Sequence, residues 1–455
     1  MMECFAVYAD EIEGRIDPHY YKPEFIKLEE QLLRLYHKKL GDMIEFSSEI
    51  WNQKDIFENK FPYIEISKID ISSGEIQNIS YYEKSKAPSR AKMIVRENDI
   101  IISTTRPHRG AIVLIDKDKD GFIVSTGFTI LRGSKINFNR QYLLFFLRTK
   151  LSLKQMLKRS SGGNYPAITS DELKKLVVPL PPLPIQNHIV KIMDNAYKIK
   201  KQKETETQQL LDSFEQFLRD EKVLDLKKIT QEKMFSINLN DLDDAFNPER
   251  YANQIQYNSS ADWVQINNIG HIYRNTFTPE KTNPEEMYTL MRIDDLDNNP
   301  ISAVTRILHG KDVNGTILKV KTNDVLIARL GPTIENKKFI LAPKSQHDLI
   351  SSNEFICLRC NKNNNPTFIL ELLKTDFYKK LMIQKTRGAT PSRRRLSHED
   401  FSKLPFPEID IKIQNKIAEE VKRRMQKAEI LQKEAKQLLQ EAKEKVEKII
   451  FNYTS

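Results

Sequence analysis

Cysteine is nearly missing from this chain: 455 residues carry three, Cys4, Cys357 and Cys360. So few exclude a disulfide framework and suit a reducing compartment. Cys357 and Cys360 form a CxxC spacing, which could be half a zinc site or a redox pair. They sit in EFICLRC, however, a stretch that reads as a strand, where an odd spacing turns the two thiols to opposite faces. No second pair of ligands stands at zinc-like spacing, so no metal site is expected. No apolar run approaches the roughly 18 residues that would cross a bilayer. The opening MMECFAVYADEIEG carries acids where a signal peptide needs bases. A soluble, cytoplasmic protein without a membrane partner is expected.

Catalytic signatures are also lacking. No GxxxxGK[ST] loop exists, which excludes the common ATPase site. NPTF at Asn365 to Phe368 approaches the NPPF-type motif with which adenine methyltransferases hold a flipped base. It lacks the second proline and any upstream glycine-rich cofactor loop, and NKNNNPTF reads as a surface turn. PEIDIK at Pro407 to Lys412 is too compressed to set two carboxylates and a lysine around a metal in the manner of PD-(D/E)xK nucleases. The aligned PLPPLP contains no acid at all. IDDLD at Ile293 to Asp297 matches the turn IDISSG and is expected to be strand-end turn chemistry. The chain is expected not to be an enzyme.

What the chain has is positive charge and a repeat. Lys and Arg number 72 against 62 Asp and Glu, a formal charge of +10, which favours an anionic partner. LVVPLPPLPIQNHIV and LPFPEIDIKIQNKIA both run from a proline-rich strip through the tripeptide IQN into a long charged stretch, and Ile185 and Ile413 stand 228 positions apart. Phe5, Asp10, Pro18 and Tyr21 fall on Phe235, Asn240, Pro248 and Tyr251 at 230. Asn98 to Pro107 falls on Asn323 to Pro332 at 225, and Phe128 to Arg132 on Phe355 to Arg359 at 227. Collinear matches of this kind mean two homologous units, about 4–230 and 234–455.

Within each unit the pattern is α+β. Apolar residues Phe25, Leu28, Leu32 and Leu35 give a helix over Glu24 to Lys39. From Phe61 short β-branched runs alternate with turn signals: YIEISKIDISSGEI, DIIIST, AIVLID, DGFIVST and FTILR. Leu143 to Leu157 then reads as one helix, and SSGGNYPAITSDEL as a loop leading into a short one. The second copy repeats the order with MYTLMRIDDLD, DVLIARL, KKFILAP and FICLRC as strands and Phe368 to Gln384 as the helix. Pro179, Pro181, Pro182 and Pro184 stop the preceding element, so the long helix is expected from Ile185. Its seam runs through Ile189, Ile192, Ala196 and Ile199. The second runs through Val421, Met425, Ala428, Ala435 and Leu439. Helices of about 50–57 Å with such a stripe seek a partner, and the simplest pairing is with each other inside one chain. The residues expected in the helix pair are Ile189, Ile192, Ile199, Val421, Met425 and Leu439.

Four segments follow: a first globular domain at 1–184, a long helix at 185–230, a second domain at 231–412 and a second long helix at 413–455. Cations gather with small residues and amides in matching loops: KSKAPSRAKMIVR, TTRPHRG and KRSSGGNY in copy one, RLGPTIENKK and QKTRGATPSRRRL in copy two. Lys and Arg supply phosphate contacts, while Arg, Asn and Gln can read guanine or adenine edges. The expected DNA-contacting residues are Arg90, Lys92, Arg106, Arg109, Lys158, Arg159 and Asn164 in the first copy, and Arg329, Lys337, Arg387, Arg393, Arg394 and Arg395 in the second.

RIDPHYYKPEF, the NDIIIST and NDVLIAR strands, the GGNYPAIT and RGATPSRRRLS loops, and the two IQN-led helices together resemble the specificity (S) subunit of type I restriction-modification enzymes, over essentially the whole chain. The resemblance implies two homologous target recognition domains separated by two long antiparallel coiled-coil-like helices, a pseudo-two-fold internal repeat. Each domain would read one half of a bipartite, asymmetric double-stranded DNA site. The partners it implies are two adenine-N6 methyltransferase subunits and, where the system has them, restriction subunits. S-adenosylmethionine, ATP and magnesium would belong to those partners, with no cofactor on this chain. Reading surfaces about 34–36 Å apart, one helical turn of DNA, are expected. A stand-alone bipartite DNA-binding regulator, a specificity module of a related defence system and a coiled-coil scaffold are the alternatives. The entry AFNPERY of copy two departs from RIDPHYY.

Overall fold

The computed structural model describes residues 5–8, 12, 14–51, 57–221, 223, 263–388, 390 and 393–453. Cys4, Asp10 and the second-copy entry Phe235 to Tyr251 lie outside the described residues. The chain forms two compact units, Met1–Gln202 with Glu434–Ser455, and Lys203–Lys433. Both mix helix and sheet, and each takes in part of both long helices, so the expected boundaries at 184/185 and 412/413 are not where the compact units divide.

The first unit has two four-stranded sheets. One orders Ile44–Ser47, Phe128–Ser134, Ile100–Ser103 and Ile112–Leu114, all antiparallel. The other orders Ser80–Glu83, Lys60–Ile64, Ile123–Ser125 and Ala91–Ile94, with Lys60–Ile64 parallel to Ile123–Ser125. A two-stranded ribbon pairs His37–Lys39 with Val177–Pro179. The apolar run at Ile100–Ser103 is explained by what lies on its two faces. Ile100 and Ile102 join the cluster under the helices, and Ile101 joins the cluster between strands. A strand covered on both sides loses its polar alternation.

The second unit repeats the plan. Gly270–Tyr273, Phe355–Cys360, Val325–Ala328 and Phe339–Leu341 form the four-stranded sheet. Thr276–Phe277, Ile317–Lys319, Asp348–Ser352, Met287–Met291 and Arg306–His309 form a five-stranded one, and Trp263–Gln265 pairs with Pro405–Pro407.

The repeated strings hold these sheets together. Asn98 and Asn323 take φ of 67° and 69°, a left-handed turn that asparagine tolerates. The next residue is a buried aspartate in each case. Asp99 accepts from Nε and Nη2 of Arg132 at 3.0 and 2.8 Å, and Asp324 from Nε and Nη2 of Arg359 at 2.8 and 2.7 Å. The ND and LR repeats are thus two ends of one ion pair. Cys357 donates its thiol to Asp324 at 3.3 Å, and burial pushes that thiol well up; burial raises the Cys360 thiol to about 12. Among the described residues, no cluster of three His, Cys, Asp or Glu could hold a metal, and no helix is long and apolar enough to cross a membrane.

Three sequence expectations are corrected. The helix over Glu24 to Lys39 is Pro23–Leu33, followed by the strand His37–Lys39 that pairs with Val177–Pro179. The single helix over Leu143 to Leu157 is two, Arg140–Leu147 and Lys150–Arg159. Thr149 between them is extended at ψ 161° and caps the carbonyl of Phe146 with its hydroxyl at 2.7 Å. Phe368 to Gln384 divides in the same way into Pro366–Leu373 and Asp376–Gln384 around Thr375.

The long helices are Leu183–Asp220 and Ile411–Asn452. The first begins ahead of Ile185 because Pro184 falls in the first turn, where no backbone N–H is required. In the first unit Ile189, Val190, Met193 and Ala196 share one apolar cluster with Leu439, Val446 and Ile450. Ile192 packs against that cluster, and Ile199 lines a groove with Leu438 and Ala442. In the second unit Phe214 and Leu218 share a cluster with Ile417, Ala418 and Val421, and Met425 packs against it. Lys427 pairs with Glu206 at 2.8 Å.

Candidate nucleic-acid interface

In the first unit the loop after the helix Lys150–Arg159 folds onto the loop after the strand Ile100–Ser103. Arg106 N–H donates to the carbonyl of Pro166 at 2.7 Å and Ile168 N–H to that of Thr104 at 2.9 Å. Ser161 and Ala167 close the base of the loop with reciprocal bonds of 2.9 and 2.8 Å. The second unit contains the same device. Gly331 N–H donates to Arg394 O at 2.9 Å and Leu396 N–H to Arg329 O at 2.8 Å, while Arg387 and Arg395 exchange bonds of 2.9 and 2.8 Å. Bond for bond, Arg106 corresponds to Gly331 and Tyr165 to Arg393. The backbone frame is conserved between the copies and the side chains it presents are different.

In the first unit the frame presents an arginine and an aromatic ring. Arg106 donates Nε and Nη2 to the carbonyl of Asn164 at 3.3 and 3.0 Å, and its guanidinium lies 4.1 Å from the ring centroid of Tyr165. Tyr165 is 68% exposed. Asn164 and Arg109 are exposed beside it. His108, between the two arginines, has its basicity lowered by burial and by the charges of Arg109 and Arg106. Arg90 and Lys92 are exposed at the strand Ala91–Ile94 of the other sheet, and the Arg90 carbonyl accepts from the N–H of Thr126 at 2.9 Å.

In the second unit the frame presents arginines. Arg393 is exposed and Arg394 half-buried. Arg395 is bidentate to Glu354 at 3.1 Å, and Arg387 pairs with Asp400 at 3.2 Å. Arg329 is half-buried and contributes its backbone to the frame. Next to it His398 is lowered to about 4 by burial and by Arg329 and Arg274.

Three expected contacts do other work. Lys158 and Arg159, 2% and 7% exposed, both pair with Glu29 of the helix Pro23–Leu33. Arg159 also reaches Glu172 at 3.4 Å, and the Lys158 ammonium sits 4.4 Å over the ring of Tyr20. Neither side chain is presented to a duplex; both anchor the loop that carries Asn164 and Tyr165. Lys337 pairs with Asp376 at 3.0 Å and lines a cavity of about 470 Å³ beside the long helices. RIDPHYY belongs to the same anchor. Arg15 donates to the carbonyls of Arg159 and Ser160 at 2.9 and 3.2 Å and to Asp17 at 2.8 Å. Sequence reasoning missed Tyr165, Glu29 and Glu354. An aromatic inside a Gly- and Asn-rich loop was the available signal for the first, whereas the two glutamates carry none.

Residues 36–211 match the family described as the type I restriction modification DNA specificity domain. It is similar to the HindI specificity subunit of a type I restriction enzyme of Haemophilus influenzae, 26% identical over 144 residues, which are 31% of this chain and 28% of that relative. It is also similar to the putative type I restriction enzyme MjaX specificity subunit of Methanocaldococcus jannaschii, 29% identical over 140 residues, 30% of this chain and 32% of the relative. The chain spans about three-tenths of the length of these curated relatives. A chain from a solved type I R-M system aligns with a TM-score of 0.45 at 18% identity, over 91% of this chain and 96% of its own.

Proposed function

We propose that this chain is the non-catalytic specificity subunit of a type I restriction-modification complex, reading a bipartite, asymmetric DNA site with one half-site per unit. The observation that carries the reading is the loop pair built twice on one hydrogen-bond frame, with Arg106 and Tyr165 on the first copy and Arg393 and Arg394 on the second. One frame with two sets of side chains suits two related surfaces with different targets. The similarity of residues 36–211 to DNA specificity domains supports the same reading.

The partners in this proposal are two adenine-N6 methyltransferase subunits and, where present, restriction subunits. They would bring S-adenosylmethionine, ATP and magnesium and would flip the adenine. Two target recognition domains and two antiparallel spacer helices are the proposed division of labour. Arg90, Lys92, Arg106, Arg109, Asn164, Arg329, Arg387 and Arg393 to Arg395 are the proposed DNA contacts, and Ile189, Ile192, Ile199, Val421, Met425 and Leu439 the proposed helix pair.

The test is selection of random duplexes by the chain reconstituted with its methyltransferase subunits. A split motif with unlike halves is expected, with binding that weakens steeply as salt rises. Enrichment of a split motif by the chain alone would instead mark a stand-alone regulator. No enrichment with the complex assembled would reject the proposal.

A further inference from the structure

Arg106 takes φ 48° and ψ 50°, a left-handed conformation that a branched-off Cβ disfavours. Among the described residues the other non-glycine positions with positive φ are four asparagines and Lys337. The second unit makes the same frame bonds with Gly331 at this place, and Gly331 is not among the glycines with positive φ. The frame's hydrogen bonds therefore require neither the left-handed turn nor the arginine side chain.

Among the described residues that side chain is held but meets no carboxylate. Nε and Nη2 face the carbonyl of Asn164, and the plane lies on Tyr165, whereas Arg387 and Arg395 of the other unit face carboxylates. A guanidinium has five donors and no acceptor. With the Nε and Nη2 side occupied, the remaining edge is Nη1 with the outer proton of Nη2: two parallel donors at the tip of an exposed loop. In the major groove guanine offers two adjacent acceptors, O6 and N7, to such an edge. Adenine sets an N6 donor beside N7, and cytosine offers a donor, so both oppose it.

We infer that Arg106, held by the Asn164 carbonyl and the Tyr165 ring, reads a guanine in the half-site bound by the first unit. The inference rests on the specificity-subunit reading and adds to it the base and the reading group. Tyr165 is a positioning residue here. The second unit, with glycine in place of Arg106, has no counterpart of this contact at that position.

The experiment measures binding of the assembled complex to its selected site, with each guanine of the site replaced in turn by 7-deazaguanine, for the natural chain and for Arg106→Lys. Lysine keeps the charge and loses the two-pronged edge. For the natural chain, one guanine of the first unit's half-site is expected to cost about 5- to 150-fold on losing N7, the range of a good bidentate contact. With Arg106→Lys that penalty disappears, and penalties in the other half-site are unchanged. The natural chain reports on N7 even if the variant folds poorly. The inference is overturned if no guanine of that half-site is sensitive, or if the sensitivity survives in Arg106→Lys. A natural complex with no preference for any site would instead overturn the functional reading beneath it.

Discussion

The backbone N–H of Asn139 donates to Oε1 of Gln186 at 2.8 Å, and the Asn139 amide donates to Oδ1 of Asn187 at 2.8 Å. Asn139 is at the same time the N-cap of the helix Arg140–Leu147, accepting from the N–H groups of Gln141 and Tyr142. Nε2 of Gln186 donates to the carbonyl of Pro181 at 2.7 Å. In the second unit Asn365, Gln414, Asn415 and Ile409 make the corresponding bonds at 2.8, 2.7 and 2.8 Å. The repeated IQN is therefore a clamp that fixes a helix cap and the proline-rich strip to the start of each long helix.

Gln186 is 2% exposed, so Gln186→Ala strands a backbone N–H and a carbonyl in a dry place. A loss of about 1–3 kcal/mol is expected. Urea unfolding of the natural chain and the variant measures it, with Gln414→Ala as the second-unit counterpart. A change below about 0.5 kcal/mol in both would remove the clamp from the account.

Glu29 carries a pH signature. Burial acts to raise its carboxyl, but hydrogen bonds and charges from Lys158 and Arg159 outweigh this and hold it below the usual carboxylate range. A depressed native value means stability present above the unfolded pKa and lost as pH falls through the native one. Glu29→Gln removes the carboxylate from Lys158 and leaves Arg159 only Glu172, so about 3 kcal/mol is expected to be lost at pH 7. The deficit should shrink toward zero in unfolding curves taken as pH drops below the native Glu29 value. A pH-independent deficit would mean that packing, not charge, is what the substitution removes.

Asp99→Asn and Asp324→Asn keep the shape of the side chain and remove its charge from beneath Arg132 and Arg359. Those arginines are 28% and 25% exposed, so solvent screens part of the loss and about 2–3 kcal/mol is expected from each, below the fully buried case. Differential scanning calorimetry reads this out, and an unchanged melting temperature in both would contradict the paired reading of the ND and LR repeats.

His398 should stay neutral through the physiological range and titrate near 4, because burial and the charges of Arg329 and Arg274 oppose its protonation. Its native value lies below the ordinary one. Stability contributed by the neutral ring is therefore lost as pH falls from about 6.5 toward 4. Ring-proton NMR shifts against pH measure it, and a midpoint near 6.5 would show that the ring is not enclosed.

The duplication, the α+β character and the central strands of each copy were legible because short β-branched runs between turn signals and a 225–230 residue repeat are written directly in the chain. Legibility ended where a residue's role depends on a distant partner. Lys158 and Arg159 read as loop cations because Glu29, the residue that claims them, is some 129 positions away. NPTF read as a surface turn because the role of Asn365 as a cap clamped by Gln414 appears only once the helix is docked. The breaks at Thr149 and Thr375 escaped notice because threonine interrupts no apolar pattern. The equivalence of Arg106 with Gly331 was already in the 225-residue offset, but the bonds that tie each to its second loop were not.

The most direct test of the central claim is N6-methyladenine mapping by single-molecule sequencing. It compares DNA from cells expressing this chain with its methyltransferase subunits against DNA from cells lacking only this chain. A split asymmetric motif that vanishes without the chain is the predicted result. An unchanged methylation pattern, with the methyltransferase present in both, would contradict the assignment of specificity to this protein.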